Sequence, residues 1–553
     1  MAEVGNIGSS NLTNDYRSMP SDHIPGTEIL IVNESNGIHR DEIILIPKPQ
    51  NDPHDPLNWS IWWKYACLVN MLFLMFLGNF STLSISPLTP VLMEQFSTTE
   101  SKVAALTGAC ILALGYANFI IIPCVNIFGR RSTALTCMLI CVGANIWQAV
   151  STSYHSLLGA RVLIGIGAAS SESIMPVVIS DLTFLHERGT WMATYFWAYF
   201  FGGWVGPIVS GSIADHVSWR WFFWLSTILN VVSFVGMFFG LPETKYCNKS
   251  DLSPDVRHEL SQSTIEGTTT IGEKGSKQPS EIDIETQLTR PDLHPLLGRG
   301  YPSPSQRWRL WNKPDTMTFK QLCKHVLTPF HLAIFPITLF ASLAVMAGSA
   351  CLLVLNLTES EGFSRAPYNF STASVGFTNF ALMGGGIVGL GAAGPLSDWV
   401  SMVLTKRNNG VREPEMRLLT FIPFIAIAVV GMTVAAVGLE RIWPWEVVVI
   451  IGFGFTGVIV MAIPTIATTY AIDSYKNMAG EIMVLATVAK NTFGYGLTYF
   501  IIPWATEHGY LYPIITVGMI AVGITLIGLI LFFSFGKTFR RWTRNSGVHR
   551  ESL

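Results

Sequence analysis

Two ionisable side chains stand where ionisable groups are costly. Glu172 lies about fifteen residues into the apolar run 157–180, and Lys490 about ten residues into the run 480–505. At ~1.5 Å per residue both reach the middle of a ~30 Å hydrocarbon layer, where a charge costs about 3 kcal/mol or more unless it is protonated or paired. A carboxyl so placed suits proton uptake and release. The ammonium could pair with it, attract an anionic substrate, or brace the surrounding helices. Arg161 opens the run 157–180, where a fixed charge could instead snorkel to the interface. Further polar groups lie on neighbouring runs: Asn79, Thr82 and Ser86 with Pro87, Thr468 and Tyr470 with Pro464, and Asn491 beside Lys490. Each is a candidate substrate contact, with interhelical hydrogen bonding as the alternative. Tyr195, Trp197 and Tyr199, with Tyr495 and Tyr499, could wall a cavity for an organic molecule or simply pack.

The elements that must position these groups are membrane helices. The 553 residues are 50% hydrophobic and 13% charged, with mean hydropathy +0.40, against roughly 25% charged in a soluble chain. Apolar runs occur near 64–91, 101–122, 132–150, 157–180, 190–213 and 218–240, then near 329–357, 371–394, 416–438, 444–470, 480–505 and 511–535. They are too long and too continuously apolar for barrel strands. The expected class is an all-α membrane protein of twelve transmembrane helices, with the lipid bilayer as its first partner. The runs divide the chain into a tail (1–63), a six-helix bundle (64–240), a linker (241–328), a second six-helix bundle (329–536) and a tail (537–553).

Thirteen Lys or Arg in the even-numbered short loops and the C-terminal tail, against four near the odd-numbered loops, place both termini in the cytoplasm. The linker is too polar to bury a core and is expected to be mostly disordered. Its end, Trp308 to Lys324, is either an interfacial segment or a plain tether. The polar, proline-containing first sixty residues argue against a cleavable signal peptide. Net charge −2 gives no reason to expect nucleic acid. Six of eight cysteines lie in or just beside apolar runs and read as small hydrophobes rather than disulfide or metal partners.

The two halves echo each other. Asp181 and Asp473 each end a span, and Gly189 and Gly480 each open the next seven or eight residues later. Two similar bodies can rock about a central site, as alternating access requires. Gly202, Gly206 and Gly211 with Pro207 form a small-residue packing face, with Gly384, Gly385, Gly386, Gly389, Gly391 and Gly394 as its expected answer from span eight. These glycines lie inside apolar helices, which excludes a nucleotide loop. No catalytic triad or metal set is found at one depth, so neither an enzyme nor a cofactor is expected.

Several motifs resemble the major facilitator superfamily. Phe128-Gly129-Arg130-Arg131-Ser132 between spans two and three is similar to the end of its first signature. Arg161 to Ala168 resembles its second motif, and Gly202 to Gly211 the Gly-Pro motif associated with antiporters. Asp55 to Ser60, Trp219 to Trp224 and Leu241 to Thr244 look like the fungal twelve-span drug:proton antiporters. Gly394 to Asp398, Arg412 to Arg417 and Tyr470 to Tyr475 resemble a branch that includes a yeast transporter of histidinol and polyamines. Asn126 stands where the first signature has Asp, which implies a weaker latch in the first half, with Asp398 keeping the acidic version in the second.

The resemblance implies a monomeric proton-coupled transporter of a small organic molecule in the plasma membrane, exporting by antiport, with the vacuolar membrane as another location. Uptake of polyamines or other organic cations, and a transporter-like nutrient sensor, are the rival readings. It also implies proton transfer at Arg161 and a span five to span eight seal at the Gly-Pro motif. Asp181, Glu187 and Arg188 are expected to latch across the halves to Asp473, Lys476 and Glu481. Asn369, in the sequon Asn369-Phe370-Ser371 of an external loop, is a glycosylation candidate.

Overall fold

The computed structural model describes residues 26–29, 49, 52–184, 187–245, 300–308, 330–408, 410–475 and 478–543. Long helices follow one another in the expected order. They are α1 (Ile61–Thr82), α2 (Glu100–Phe128), α3 (Arg130–Val150), α4 (Tyr154–Leu182), α5 (Arg188–His216) and α6 (Trp219–Gly240) in the first half. The second half holds α7 (Pro336–Ser364), α8 (Asn379–Arg407), α9 (Phe421–Glu440), α10 (Gly454–Ser474), α11 (Ala479–His508) and α12 (Leu511–Thr543).

Ten helical stretches among the described residues are long and apolar enough to cross a membrane. The remaining two helices, α5 and α11, stand at the expected fifth and eleventh spans with 29 and 30 residues but lower hydropathy. Their deficit has a physical source: α5 is diluted by Tyr, Trp and Gly, and α11 by Lys490, Asn491, Thr and Tyr. These are the helices that bring polar groups to the centre.

Burial sorts the helices into layers. In α4, α7 and α10, 78% of the apolar window is buried, against 33–44% in α6, α9 and α12, which therefore face lipid. The halves meet where α2 packs along α11 and α5 along α8. Prolines inside α2, α4, α5, α8, α10 and α11 (Pro123, Pro176, Pro207, Pro395, Pro464 and Pro503) each remove a backbone donor and allow a bend. Gly129, with φ +100°, makes the abrupt turn from α2 into α3, a conformation that a side chain would strain.

Three features extend the expected plan. α8 and α12 run well past their apolar segments, to Arg407 and Thr543; the basic residues in their last turns complement the helix carbonyl ends. Strands do occur, as a two-residue ladder in which Glu28–Ile29 pairs antiparallel with Val411–Arg412. Part of the linker is also placed. Ser60 N donates to Gly300 O and Gly300 N to Asn58 O, each at 2.8 Å, and Glu243 N donates to Gln306 O at 2.8 Å. Residues 246–299 and 309–329, including the interfacial segment beyond Trp308, lie outside the described residues.

Candidate functional site

The centre of the molecule is an ion pair across the two halves. α4 carries Glu172 into the interior at 1% exposure, and α11 brings Lys490 against it. Lys490 Nζ donates to Glu172 Oε1, and to the Tyr199 hydroxyl at 2.8 Å. The ammonium also lies 4.3 Å from the Tyr199 ring centroid, a favourable cation–π geometry. Asn491 Nδ2 reaches Glu172 Oε2 at 3.4 Å, and the Tyr195 hydroxyl donates to the Glu172 backbone carbonyl at 3.1 Å. Of the three roles open to Lys490, pairing with Glu172 is the one the structure realises. A buried pair is tolerated only where extra hydrogen bonds complete both partners, and Tyr199 and Asn491 supply them.

Beside the pair lies a cavity of about 50 Å³, bordered by Asn79, Thr82, Tyr199, Ser349, Lys490 and Asn491 among apolar residues of α2 and α7. A water needs roughly 10–15 Å³ by such a measure, so this space holds a few waters. Contacts between the halves close both ends. At one, Ser86 Oγ lies 2.5 Å from Asn356 O. At the other, Thr190 Oγ1 donates to Asp398 Oδ2 at 3.3 Å.

Arg161 is not part of this group. It is eleven residues from Glu172 on one helix, about 16 Å along the axis, and fully buried, so it does not snorkel. Its guanidinium donates to Ser81 O at 2.7 Å, Thr82 O at 2.8 Å and Gln148 Oε1 at 3.3 Å. α1 ends at Thr82, so these carbonyls lack partners within the helix, and a cation at a helix C-terminus is favourable. Arg161 anchors the end of α1.

The predicted cavity residues separate. Asn79 donates to Tyr199 O at 2.9 Å and, with Thr82, lines the cavity. Ser86 lies at one closed end instead. Thr468 is buried and donates to Pro464 O at 2.6 Å, while Tyr470 is enclosed in the second half near Phe532; neither borders the cavity. The aromatic wall is also broken up. Trp197 stacks on Phe201 at 4.5 Å, and Tyr495 bonds Tyr499 on the exposed side of α11. Tyr199 and Phe200 remain at the cavity. Unforeseen lining residues include Phe200, Ile111 and Leu114, and Ser349, Ala350, Leu352 and Leu353 of α7; for those of α7 the internal symmetry, which sets α7 opposite α1, was the signal.

Comparison with known proteins agrees with this architecture. The Major Facilitator Superfamily model matches residues 71–498. The chain belongs to that superfamily. Protein HOL1 of Saccharomyces cerevisiae is 24% identical over 95% of this chain and 96% of its own length. An uncharacterised MFS-type transporter of Schizosaccharomyces pombe is 25% identical over 94% and 93%, and the MFS transporter cpaT of Aspergillus oryzae 24% over 89% and 91%. The proton:xylose symporter XylE shares the fold, with a TM-score of 0.56 at 14% identity over 84% of this chain and 95% of its own. This major facilitator protein is therefore a multi-pass transporter of small molecules rather than an enzyme.

The superfamily signatures form a latch within each half, where pairing across the halves was expected. In the first, Arg130 Nε pairs with Asp181 at 3.2 Å, and Glu243 accepts from the backbone N–H groups of Arg130 and Arg131 at 3.0 and 3.3 Å. Arg131 is buried and donates to Phe238 O and Leu241 O at the end of α6. Asn126 contributes its backbone carbonyl to Lys245 Nζ at 2.8 Å; Asp181 and Glu243 carry the negative charge at this turn. In the second half, Arg417 joins Asp398 at 2.7 Å and Asp473 at 2.8 Å, and Arg412 joins Asp473 at 3.0 Å. Gly394 is buried one turn before Asp398. Asp181 and Asp473 are thus engaged with arginines of their own halves. Glu481 stands in the first turn of α11 and Glu187 just before α5; Lys476 and the Arg188 side chain lie outside the described residues.

The Gly-Pro motif packs on α1 as well as on the expected eighth span. A Cβ on Gly202 or Gly206 would strike the backbone carbonyls of Phe76 or Phe80 on α1, and one on Gly211 would lie 2.7 Å from Thr372 O. The motif thus packs α5 on α1 and on the short helix Thr372–Phe377. α8 answers through Gly386, which receives the Trp204 ring, while Gly385 and Gly389 face α10.

Proposed function

We propose that the protein is a proton-coupled secondary transporter that exports a small organic molecule by antiport, through alternating access around the Glu172–Lys490 pair. The observation that carries this reading is a buried carboxylate on one half paired with an ammonium on the other, the ammonium bordering the cavity with Asn79, Asn491 and Tyr199. Moving the halves apart at this level must separate the pair. Removing one partner of a buried pair costs about 3–5 kcal/mol; protonating Glu172 removes its charge instead. One proton entering through 100 mV gains about 2.3 kcal/mol, and one pH unit adds about 1.4 kcal/mol. The sum matches the cost of parting the pair. A proton and a cationic substrate would compete for one carboxylate, which favours exchange over co-transport.

In this reading the α2–α3 and α8–α9 latches face the cytoplasm, both termini lie on that side, the chain works as a monomer in the plasma membrane, and Asn369 is glycosylated in an outer loop. The test is transport in proteoliposomes under an imposed pH gradient, screening polyamines, toxic organic compounds and organic acids. Glu172→Gln is expected to abolish gradient-driven movement while leaving substrate exchange. Gradient-driven accumulation untouched by that change would remove the proton role from Glu172. Substrate moving inward with protons would replace export by uptake.

A further inference from the structure

A second carboxyl is buried between the halves, with no cation among its described hydrogen-bond partners. Glu359 on α7 is fully buried, and its hydrogen-bond partners among the described residues are neutral: Ser86 Oγ at 3.0 Å, Asn379 Nδ2 at 3.0 Å and Thr378 Oγ1 at 3.4 Å. Ser86 follows α1 in the first half, whereas Asn379 and Thr378 start α8 in the second. Glu359 therefore sits on the contact that closes the end of the bundle opposite the signature loops. Of the charged groups on the packed elements, Glu100 at the start of α2 faces the adjoining cleft, and the others are engaged elsewhere. Asp215 at the end of α5 accepts from Ala373 N at 2.9 Å, Glu361 pairs with Arg365 on α7 itself, and His508 of α11 lies 3.9 Å from Glu507. At this end the facing parts of α8 and of the turn after α1 carry no charged side chain, and α10 begins there with the apolar run from Gly454.

Hydrogen counting fixes the protonation state. A serine hydroxyl has one hydrogen, and a carbonyl oxygen has none to give. Ser86 Oγ is 2.5 Å from Asn356 O, so its hydrogen lies in that bond. The contact between Ser86 Oγ and Glu359 Oε1 then needs its hydrogen from the carboxyl. Thr378 is likewise committed, donating to Val375 O at 2.7 Å, and Asn379 alone donates to Oε2. An ionised carboxylate would be left with one amide donor, and a buried charge so poorly paired is costly.

We propose that Glu359 is a second proton-binding site of this transporter, holding its proton while this end is closed and releasing it when α1 and α7 part. On opening, the Glu359 O–H bond breaks, the proton passes to water entering the adjoining cleft, and a hydrated carboxylate remains. That cleft, of about 20 Å³, is lined by Ser86, Thr89, Glu100, Thr107, Asn356 and Ser360 among apolar residues. Low pH thus favours closure of this end, and high pH favours opening. The inference rests on alternating access as read above, but not on any role for Glu172 or on the direction of transport.

The test uses purified full-length protein without substrate. Thr107→Cys, buried in the cleft wall, is titrated with a water-soluble maleimide between pH 5.5 and 8.5, with the chain's own eight cysteines as the blank. Labelling, taken relative to that of a fully exposed cysteine at the same pH so that the thiolate's own pH dependence cancels, is expected to rise several-fold with pH. In Glu359→Gln, permanently neutral, it is expected to stay low and flat, and a carboxylic-acid carbonyl band in the infrared difference spectrum is expected to vanish. Should that variant misfold, Ser86→Ala supplies the test. It removes an acceptor that serves only the protonated form, so the labelling midpoint should fall by about one pH unit. An unchanged pH response in Glu359→Gln, or an unmoved midpoint in Ser86→Ala, would overturn the assignment even if proton-driven transport is found. Conversely, a pH-dependent response without gradient-driven transport would defeat the antiport reading and leave Glu359 standing.

Discussion

Replacing Lys490 by Met isolates the energetics of the central pair. The ammonium is lost while a side chain of similar length still fills the site. Glu172, 1% exposed, would keep the long Asn491 contact at 3.4 Å and the Tyr199 hydroxyl, both neutral. An uncompensated buried charge costs about 3–5 kcal/mol. At roughly 2–4 °C per kcal/mol for a unit of about 150–250 residues, the size of each half, the midpoint should fall by roughly 6–20 °C. Glu172→Gln should cost less, because Lys490 keeps the Tyr199 hydroxyl at 2.8 Å and the ring face at 4.3 Å, and a glutamine oxygen still accepts from it. The double variant leaves no buried charge and should return to within about 1 kcal/mol of the wild type, since neutral replacements of buried pairs are often close to neutral. Thermal unfolding of the four purified proteins in detergent at neutral pH reads the cycle directly. Additive losses in the double variant would refute the reasoning, because they would mean that the two groups do not interact. Four equal midpoints would refute it as well, by showing that neither group is buried.

Other expectations follow from the same geometry. Gly206→Ala should destabilise the fold by about 1–3 kcal/mol through overlap with the Phe80 carbonyl, whereas Gly391→Ala, with nothing within 4 Å, should be neutral or stabilising; a matched pair of melting curves distinguishes them. Asp473→Asn strips the shared acceptor from Arg412 and the 1%-exposed Arg417, and is expected to loosen the second latch, seen as faster hydrogen exchange of the α8–α9 turn with the first latch unaffected. Asn369→Gln should abolish a glycosidase-sensitive mobility shift in a eukaryotic host; a shift that persists would place the modification elsewhere.

Long apolar runs, their break near the middle and the charges in the short loops are local properties. The helical class, the order of the helices and the kinship with the superfamily could therefore be read from the chain alone. Glu172 and Lys490 stood out for the same reason: an ionisable group in an apolar run is anomalous whatever packs against it. Their partnership was one of several options, because residues 318 positions apart meet only through the packing of α4 against α11. Tertiary contact also decided that Arg161 caps α1, that Tyr470 and Trp197 turn away from the cavity, and that Asp181 and Asp473 are latched within their own halves. Helical periodicity tells which residues share a face, but not which neighbour that face meets. Glu359 shows the limit most clearly. Near the end of a span it looks like an ordinary interfacial carboxyl, and only the closure of the turn after α1 over α7 and α8 makes it buried, neutral and poised between the halves.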